Sequence, residues 1–488
     1  MKKLVLFILL PLLSIAQTKI GADIDGEASN DNSGNSISLS SDGTVVAIGA
    51  YANDGSGTDA GSVRVYKNVS GTWTKIGADI DGEAADDFSA RSVSLSSDGT
   101  IVAIGAAGND GSGVNSGSVR VYKNISGTWT KIGTDIDGET TIDRSGWSVS
   151  LSGDGTTVAI GAIYNDGSGA ESGSVRVYKN LSGTWTKIGA DIDGEATDDQ
   201  SGWSVSLSSD GTTVAIGAFL NDGSGTNAGS VRVYKNISGT WTKIGIDIDG
   251  EAAGDLSGSS VSLSSDGSIL AIGAYRNDGS GTDSGSVRVY KNVSGTWTKI
   301  GEDINGESAD DLSGWSVSLS SDGTTVAIGA FLNDGSGTNA GSVRVYKNIS
   351  GAWTKIGIDI DGEAAGDNSA RSVSLSNDGA TVAIGAEQNA GNGNYPGSVR
   401  VYDLSAVLSS DSFVLSNFSI YPNPAYEQVT ITLQKNLLLE KVNIYNTLGQ
   451  LIQSKKNNII DITSLSKGSY FFEVITNKGK ATKTIQIQ

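Results

Sequence analysis

The stretch GSVRVYKNVSGTWTKIGADIDGE, residues 61–83, decides the fold, because nearly the same words return along the chain at a fixed spacing. Each GSVRVY segment starts 56 residues after the one before it. The seven copies begin at Gly61, Gly117, Gly173, Gly229, Gly285, Gly341 and Gly397. A strict period of this length indicates a single supersecondary unit repeated many times.

One period contains four short strand patterns. SVSLS at 148–152 and TVAIGA at 157–162 alternate or run apolar, and an Asp-Gly type turn at 153–156 joins them. GSVRVY at 173–178 and TWTKIG at 184–189 follow, joined by a second tight turn. No segment shows the 3.6-residue period of a helix. Four antiparallel strands per unit are typical of a β-propeller blade.

The two ends of the repeat region are cut short in complementary ways. There are seven GSVRVY segments and seven KIG segments, but only six of the hairpins that link them. The first KIG, at Lys19, has no strand before it, and the last GSVRVY runs into Asp403 and Leu404 with no turn after it. We therefore expect a seven-bladed β-propeller over residues 17–404. Residues 18–24 should pair with 398–403 and complete the last blade, which leaves no exposed sheet edge.

Residues 1–16 have the pattern of a secretory signal peptide. Lys2 and Lys3 precede an apolar run, and small residues at Ser14 and Ala16 predict cleavage before Gln17. The alternative is a transmembrane anchor, but the run is shorter than the roughly 20 apolar residues that span a bilayer. No later segment is long and apolar enough either, so no transmembrane segment is predicted in the mature protein.

Composition excludes several classes of function. The 488 residues include no Cys and no His, which excludes disulfides, thiolate catalysis, Cys/His zinc sites and histidine-based proton transfer. The net charge is −20, but from residue 406 onward eight lysines face only five acidic residues. An acidic body with a mildly basic tail indicates two domains. It also argues against nucleic acid as a partner, because phosphate binding needs clustered Lys and Arg.

The tail follows a Ser-rich linker at 405–417 and has its own strand patterns, which predict a small immunoglobulin-like β-sandwich over 418–488. Its motifs are Tyr-Pro-Asn-Pro at 421–424, Asn-Thr-Leu-Gly-Gln at 446–450 and Lys-Gly-Ser-Tyr at 467–470. With these residues the tail resembles the type A C-terminal sorting domain of the type IX secretion system. The resemblance implies contact with that machinery and a place outside a Gram-negative bacterium, secreted or on the outer-membrane surface. The alternative is an immunoglobulin-like spacer.

The repeats, as in SGWSVSLSSDGTTVAIGA at 201–218 followed by GSVRVY, resemble the FG-GAP repeats of integrin-type β-propellers. In that family the ring is a recognition platform, and some blades bind Ca²⁺ in an Asp-rich hairpin between the first two strands. The corresponding hairpin here is Ser-Ser-Asp-Gly-Thr, as at 208–212, so that site does not carry over. Ser201 also stands where the family has Phe.

A candidate metal site lies in the D-I-D-G-E connection between blades. Spaced carboxylates on a turning backbone can supply the oxygens that Ca²⁺ needs, which makes Ca²⁺ the only cofactor that the residues suggest. The neighbouring N-D-G-S-G loop, as at 53–57, could complete such a site. The alternative is that these residues cap turns and keep the surface soluble. The candidate ligands are Asp79, Asp81, Glu83 and Asp87, and in another repeat Asp247, Asp249, Glu251 and Asp255.

One position before the first strand differs from blade to blade, and we expect it at the mouth of the central channel. Trp and Arg at such a place stack on sugar rings or anchor protein partners. The alternative is that these side chains plug the ring. The seven residues are Asn35, Arg91, Trp147, Trp203, Ser259, Trp315 and Arg371, of which Arg91, Trp147, Trp203, Trp315 and Arg371 are the predicted ligand-binding residues.

These features predict a secreted or cell-surface binding or adhesion protein. Near-identical blades would offer many equivalent binding surfaces to a glycan or protein ligand, which favours multivalent attachment. Catalysis needs an asymmetric set of acid, base and charge stabiliser. The residues peculiar to single blades form no obvious set of this kind, so the chain is predicted not to be an enzyme. These residues include Arg144, Arg276, Glu387 and Tyr395. The alternatives are a polysaccharide lyase or hydrolase on a propeller scaffold, and a passive extracellular structural component.

Overall fold

The computed structural model describes residues 17–391, 393–409, 414, 417–434, 437–446, 450–477 and 479–488. The predicted signal peptide at 1–16 and the centre of the 446–450 turn lie outside these residues. Within them, contacts divide the chain into a repeat unit, Lys19–Lys355 with Asp359–Asp403, and a second unit that includes Leu404–Gln488. No helix in the described ranges has the length and apolar character to cross a membrane.

The repeat unit is built of antiparallel sheets with the predicted strand order. In the described part of the chain there are seven of them, each with four main strands. In six of them a short fifth strand also pairs with the third strand. The first strands are β3 (Ser36–Leu39), β8 (Ser89–Leu95), β13 (Ser145–Leu151), β18 (Ser204–Leu207), β23 (Ser257–Leu263), β28 (Ser316–Leu319) and β32 (Ser369–Leu375). The second strands are β4 (Val45–Ala50), β9 (Ile101–Ala106), β14 (Thr157–Ala162), β19 (Thr213–Ala218), β24 (Ile269–Ala274), β29 (Thr325–Ala330) and β33 (Thr381–Ala386).

The outer half of each sheet is formed by the strands of the repeated GSVRVY and TWTKIG segments. The third strands are β5 (Ser62–Val69), β10 (Ser118–Ile125), β15 (Ser174–Leu181), β20 (Ser230–Ile237), β25 (Ser286–Val293), β30 (Ser342–Ile349) and β34 (Ser398–Asp403). The fourth strands are β1 (Thr18–Lys19), β6 (Thr72–Lys75), β11 (Thr128–Lys131), β16 (Thr184–Lys187), β21 (Thr240–Lys243), β26 (Thr296–Lys299) and β31 (Ala352–Asp361). The short fifth strands are β2 (Ile24–Asp25), β7 (Ile80–Asp81), β12 (Ile136–Asp137), β17 (Ile192–Asp193), β22 (Ile248–Asp249) and β27 (Ile304–Asn305).

The hydrophobic core lies between neighbouring sheets. Val63 and Val65 of one sheet pack with Val93 and Leu95 of the next. The sheets approach so closely that a Cβ on Gly105 would lie 2.0 Å from the carbonyl oxygen of Gly146. This contact explains why the second strand reads A-I-G-A in every repeat, since only glycine leaves room for the backbone of the next sheet.

The last sheet is completed by the N-terminal strand, as expected. Strand β1 lies at its edge, next to β34. The N–H of Ile20 donates to the carbonyl of Val401 over 2.7 Å, and Ile24 is paired with Val399. Ile24 also packs in a core cluster with Ile37 of the first sheet. The two ends of the repeat region therefore lie side by side.

Two circuits of hydrogen bonds join the first strands of all seven sheets. In one, the serine hydroxyl near the start of each first strand donates to a carbonyl of the next sheet, and Ser372 donates to Gly34 to close the circuit. The other donors are Ser36, Ser92, Ser148, Ser204, Ser260 and Ser316. The other circuit lies at the opposite end of the first strands. There the backbone N–H of one residue in each sheet donates to the backbone carbonyl of the equivalent residue in the next sheet, at 2.8–2.9 Å. The residues are Ser41, Ser97, Gly153, Ser209, Ser265, Ser321 and Asn377.

The second unit begins with a short helix, α1 (Ser405–Ser409), inside the segment predicted as a linker, and continues as a two-sheet β domain. One sheet has the order β35-β36-β39 and the other β38-β37-β40-β41, and Phe472 is fully buried between them. The strands are β35 (Phe418–Tyr421), β36 (Gln428–Leu433), β37 (Leu439–Tyr445), β38 (Leu451–Lys455), β39 (Ile459–Asp461), β40 (Gly468–Thr476) and β41 (Gly479–Ile487). The all-β prediction of a propeller followed by a small β domain is confirmed.

Candidate functional site

The residues that vary before the first strand converge on one cavity. Each is the third residue of a first strand or directly precedes one, so the ring of sheets brings all of them to the same end of its central axis. The cavity has a volume of about 120 Å³. It is lined by Asn35, Arg91, Trp147, Trp203, Ser259, Trp315 and Arg371. We call it the mouth cavity. All five residues predicted to bind ligand are therefore neighbours.

One wall of the mouth cavity is a continuous stack. The guanidinium carbon of Arg91 lies 4.1 Å from the centroid of the Trp147 ring. Trp147 packs on Trp203 at a centroid distance of 5.0 Å, and Trp203 packs on Phe219 at 4.0 Å. Cation–π and aromatic contacts of this kind hold wide, flat side chains in fixed positions. The stack therefore offers a rigid surface to a ligand.

A second stack forms the other wall. The guanidinium of Arg371 lies 4.1 Å from the centroid of Trp315, and Trp315 packs on Tyr275 and Phe331. Arg371 also makes an ion pair with Glu387, with Nε and Oε1 separated by 3.1 Å. The charge of Arg371 is therefore compensated inside the protein.

Arg91 differs from Arg371 in its charge environment. Among the described residues, no carboxylate oxygen lies within the 4.0 Å of an ion pair with Arg91. Burial, with a smaller contribution from the charge of Arg371, lowers the pKa of the Arg91 guanidinium to about 10. Arg91 therefore stays protonated at neutral pH, and Glu387, which is paired with Arg371, acts on it only from beyond ion-pair distance.

A second set of varying residues supports the mouth cavity, and the sequence prediction missed it as a set. These residues directly follow the second strand and share the same 56-residue spacing. Their variation among otherwise constant A-I-G-A segments was the signal that could have identified them. They are Tyr51, Ala107, Ile163, Phe219, Tyr275, Phe331 and Glu387. Only the structure shows that Phe219, Tyr275, Phe331 and Glu387 touch the predicted Trp and Arg side chains.

Most of the predicted metal ligands already form ion pairs or hydrogen bonds with other residues of the chain. Asp79 pairs with Lys75 at 2.7 Å, and Glu83 lies 3.8 Å from both Arg120 and Lys131. Asp87 is buried and accepts hydrogen bonds from the N–H groups of Glu83 and Ala84 and from Asn109.

The Asp247 repeat is arranged in the same way. Asp247 pairs with Lys243, Glu251 lies 3.9 Å from Arg288, and Asp255 caps its own loop. Burial, and next the charge of the preceding Asp, raise the pKa of Asp81 and of Asp249. In the described part of the chain no three Asp or Glu side chains gather as a metal cluster. Calcium binding by these loops stays a prediction.

The tryptophans of the fourth strands join neighbouring sheets, as expected for packing residues. Trp73 Nε1 donates to the carbonyl of Ile20 over 2.8 Å, which links the first sheet to the last. Five further Trp residues repeat the bond, each with the Ile of the preceding sheet: Trp129, Trp185, Trp241, Trp297 and Trp353.

Comparisons with known proteins agree with this architecture. The family model of the FG-GAP repeat matches residues 134–178, 186–234, 247–290 and 305–346. That of the secretion system C-terminal sorting domain matches residues 419–488. Among curated proteins, the ulvan lyase NLR42 of Nonlabens ulvanivorans is 35% identical over 85 residues. This match covers 16% of this chain and 16% of the relative, so most of each protein lies outside it.

Two solved structures are similar to much of the chain. A putative 6-phosphogluconolactonase from Bacteroides uniformis has a TM-score of 0.49 at 14% identity, covering 70% of this chain and 88% of its own. The periplasmic gluconolactonase PpgL of Pseudomonas aeruginosa has a TM-score of 0.45 at 17% identity, covering 68% and 85%. At these values neither bears on function. The chain carries FG-GAP repeats followed by a secretion system C-terminal sorting domain, which indicates export by type IX secretion to the cell surface or extracellular space.

Proposed function

We propose that this exported protein is a non-catalytic binding protein that attaches to an extracellular glycan through the mouth cavity of its propeller. One observation carries the proposal: residues that differ from blade to blade, at one equivalent position of each repeat, converge on this cavity, where Arg and Trp side chains form two stacks. Solubility and ring packing would be served equally well by seven identical residues. The variation favours a ligand that needs an asymmetric surface.

The charges at the mouth favour an anionic sugar unit. Arg371 is neutralised by Glu387, whereas Arg91 has no such partner among the described residues. The chain as a whole has a net charge of −20, so Arg91 is a local positive charge on an acidic protein. Guanidinium groups bind carboxylate and sulfate-like oxygens with strong, directional hydrogen bonds. The indole of Trp147 beside it supplies a flat apolar surface for a sugar ring.

A polysaccharide-acting enzyme is the second candidate, because a short part of the chain is similar to an ulvan lyase. Tyr51, Glu387 and Arg91 interact electrostatically at the mouth and would be the reactive groups. Burial, and next the charge of Glu387, raise the pKa of Tyr51, which keeps the phenol protonated at neutral pH and leaves little phenolate to act as a base. Glu387 is held by Arg371. This arrangement supports binding over turnover.

The test is binding to immobilised acidic and neutral polysaccharides. The wild-type chain should bind, and Arg91→Met should weaken the affinity roughly 10- to 100-fold, the range expected for a lost hydrogen bond to a charged group. Trp147→Ala should weaken it as well, because the flat surface for the sugar ring is lost. Lys123→Met is the matched control, because it removes an exposed cation on an outer strand far from the mouth in the fold. Unchanged binding by the mouth variants would refute the proposal. Release of shortened oligosaccharides would establish the enzyme instead.

A further inference from the structure

A second kind of cavity recurs along the outer rim, between neighbouring sheets. One copy, of about 280 Å³, is lined on one side by Ala78, Asp79, Ile80 and Asp81 of the first sheet. Its other side is Tyr122, Gly127, Thr128 and Trp129 of the second sheet. Three more copies have volumes of about 290, 290 and 400 Å³; they contain Trp73, Trp241 and Trp353 in the place of Trp129. We call them the rim cavities.

Both aromatic residues of a rim cavity are held in place by bonds behind them. Trp129 donates from Nε1 to the carbonyl of Ile76 at 2.8 Å and packs against the core shared by the two sheets. Tyr122 accepts a hydrogen bond from the buried Arg120. Because these side chains are already fixed, a ligand that contacts them loses little affinity to ordering of the protein.

The other polar side chains among the residues that line this cavity are acceptors, and none of these residues is Lys or Arg. Asp79 and Asp81 stand opposite the indole-bearing strand, and the ammonium group of Lys75 is paired with Asp79 at 2.7 Å. An aromatic ring next to carboxylates suits a ligand with an apolar face and hydroxyl donors on its edge. It disfavours anions, which the acidic surface repels. A neutral sugar ring has this combination of features.

We propose that each rim cavity binds one neutral sugar unit, whose ring lies against the indole while its hydroxyl groups donate hydrogen bonds to the aspartates. The inference rests on the glycan-binding function proposed above and adds a second class of site to it. The mouth cavity occurs once and is asymmetric, whereas the rim cavity is repeated. Repetition gives avidity for a polymer, because each bound unit raises the local concentration of the next.

The sequence limits the number of rim cavities. Six outer strands carry Trp, but the seventh, supplied by the N-terminus, has Gln17 at the equivalent position. The cavity at Trp353 also differs, since Ala352 replaces Thr and Asn305 replaces the second Asp. We therefore expect up to six sites, of which five share the Thr, the Trp and both Asp residues.

The experiment is isothermal titration calorimetry of the full chain with neutral hexaoses of glucose and of xylose. The wild type should bind several equivalents of one of them. Thr128→Arg places a long cation in one cavity from an exposed position and leaves Trp129 and the core intact. It should remove one equivalent without changing the melting temperature. Arginines at all five equivalent threonines should reduce binding to the neutral polymer on the order of 100-fold. The five are Thr72, Thr128, Thr184, Thr240 and Thr296.

The outcomes separate this inference from the proposed function. One equivalent, abolished by Trp147→Ala and unaffected by Thr128→Arg, would overturn the rim sites and leave the mouth site standing. Binding of acidic polysaccharide without any binding of the neutral hexaoses would do the same. Binding of choline but of neither hexaose would overturn the assignment to sugars. No binding of acidic or neutral glycans would overturn both proposals.

Discussion

The backbone N–H of Asn377 donates a hydrogen bond to the carbonyl of Ser41 over 2.9 Å, although the two residues belong to the last and the first sheets of the repeat. Six equivalent bonds connect the other neighbours, so the circuit returns to its start. Closure removes the free edges that an open array of sheets would expose.

Closure predicts that the N-terminal segment contributes to the stability of the whole ring. Ile24 is 5% exposed in the core cluster between the last and first sheets, so Ile24→Ala should lower the free energy of unfolding by roughly 2–5 kcal/mol. Ile246→Ala is the control, because Ile246 is 84% exposed. Denaturant unfolding measures both. Equal effects of the two substitutions would contradict the closed arrangement.

The buried arginine of each GSVRVY strand should be a second determinant of stability. Arg120 donates to the carbonyl of Asp81 at 3.0 Å and to the hydroxyl of Ser89 at 2.9 Å, and so connects two sheets. Arg120→Met should leave both acceptors without this partner and cost about 1–3 kcal/mol for each buried group that remains unsatisfied. The exposed Lys123→Met should be neutral in the same thermal melt. An unchanged melting temperature in Arg120→Met would contradict this role.

The turns between first and second strands predict loss of stability in acid. Burial raises the pKa of Asp154, but hydrogen bonds from the Ser152 hydroxyl and from the N–H and hydroxyl of Thr156 outweigh it, so the pKa lies below its ordinary value. A carboxylate with a lowered folded-state pKa stabilises the protein above its unfolded pKa, about 3.9, and this contribution is lost as the pH falls through the folded value.

The corresponding experiment compares Asp154→Asn with the wild type in melts from pH 7 down to pH 2. The variant should be less stable at neutral pH, and the difference should shrink below about pH 4. Asp86→Asn, at an exposed loop position, is the control. A difference that stays constant with pH would show that the carboxylate charge is not the cause.

Calcium binding by the D-I-D-G-E loops predicts a higher melting temperature in millimolar Ca²⁺, because a ligand that binds only the folded state stabilises it by mass action. Asp79→Asn combined with Asp81→Asn should reduce the shift if these carboxylates are ligands. Mg²⁺ and a chelator serve as controls. Identical melts with calcium and with chelator would dismiss the metal and leave these residues as ion-pair and turn partners.

The sorting domain predicts a simple export phenotype. Deletion of residues 418–488 should retain the propeller inside the outer membrane, since the type IX signal is lost. Cell fractionation and protease accessibility would show the change, and a full-length chain carrying Trp147→Ala is the control for unaffected export. Surface delivery of the truncated chain would contradict the role of the domain.

Much of this architecture was predictable because the repeat is nearly exact. Alternation in SVSLS and the Asp-Gly turn at 153–156 placed the first two strands, and the half-hairpins at Lys19 and Asp403 predicted how the ends meet. The mouth position was predictable as well, because variation at one point of a constant repeat stands out. The short helix at Ser405–Ser409 was not, since its few residues resemble a linker in composition.

The sequence by itself determined the strand order, the pairing of the two ends of the repeat region and the export signal, because each depends on local patterns or on counting equal units. Only the tertiary structure decided which side chains meet. Arg91 stacks on Trp147 and Arg371 pairs with Glu387 because the ring brings distant residues together at the mouth cavity. The rim cavities have the same origin: neither Trp129 nor Asp79 forms one alone, and each exists because two sheets pack at a fixed distance.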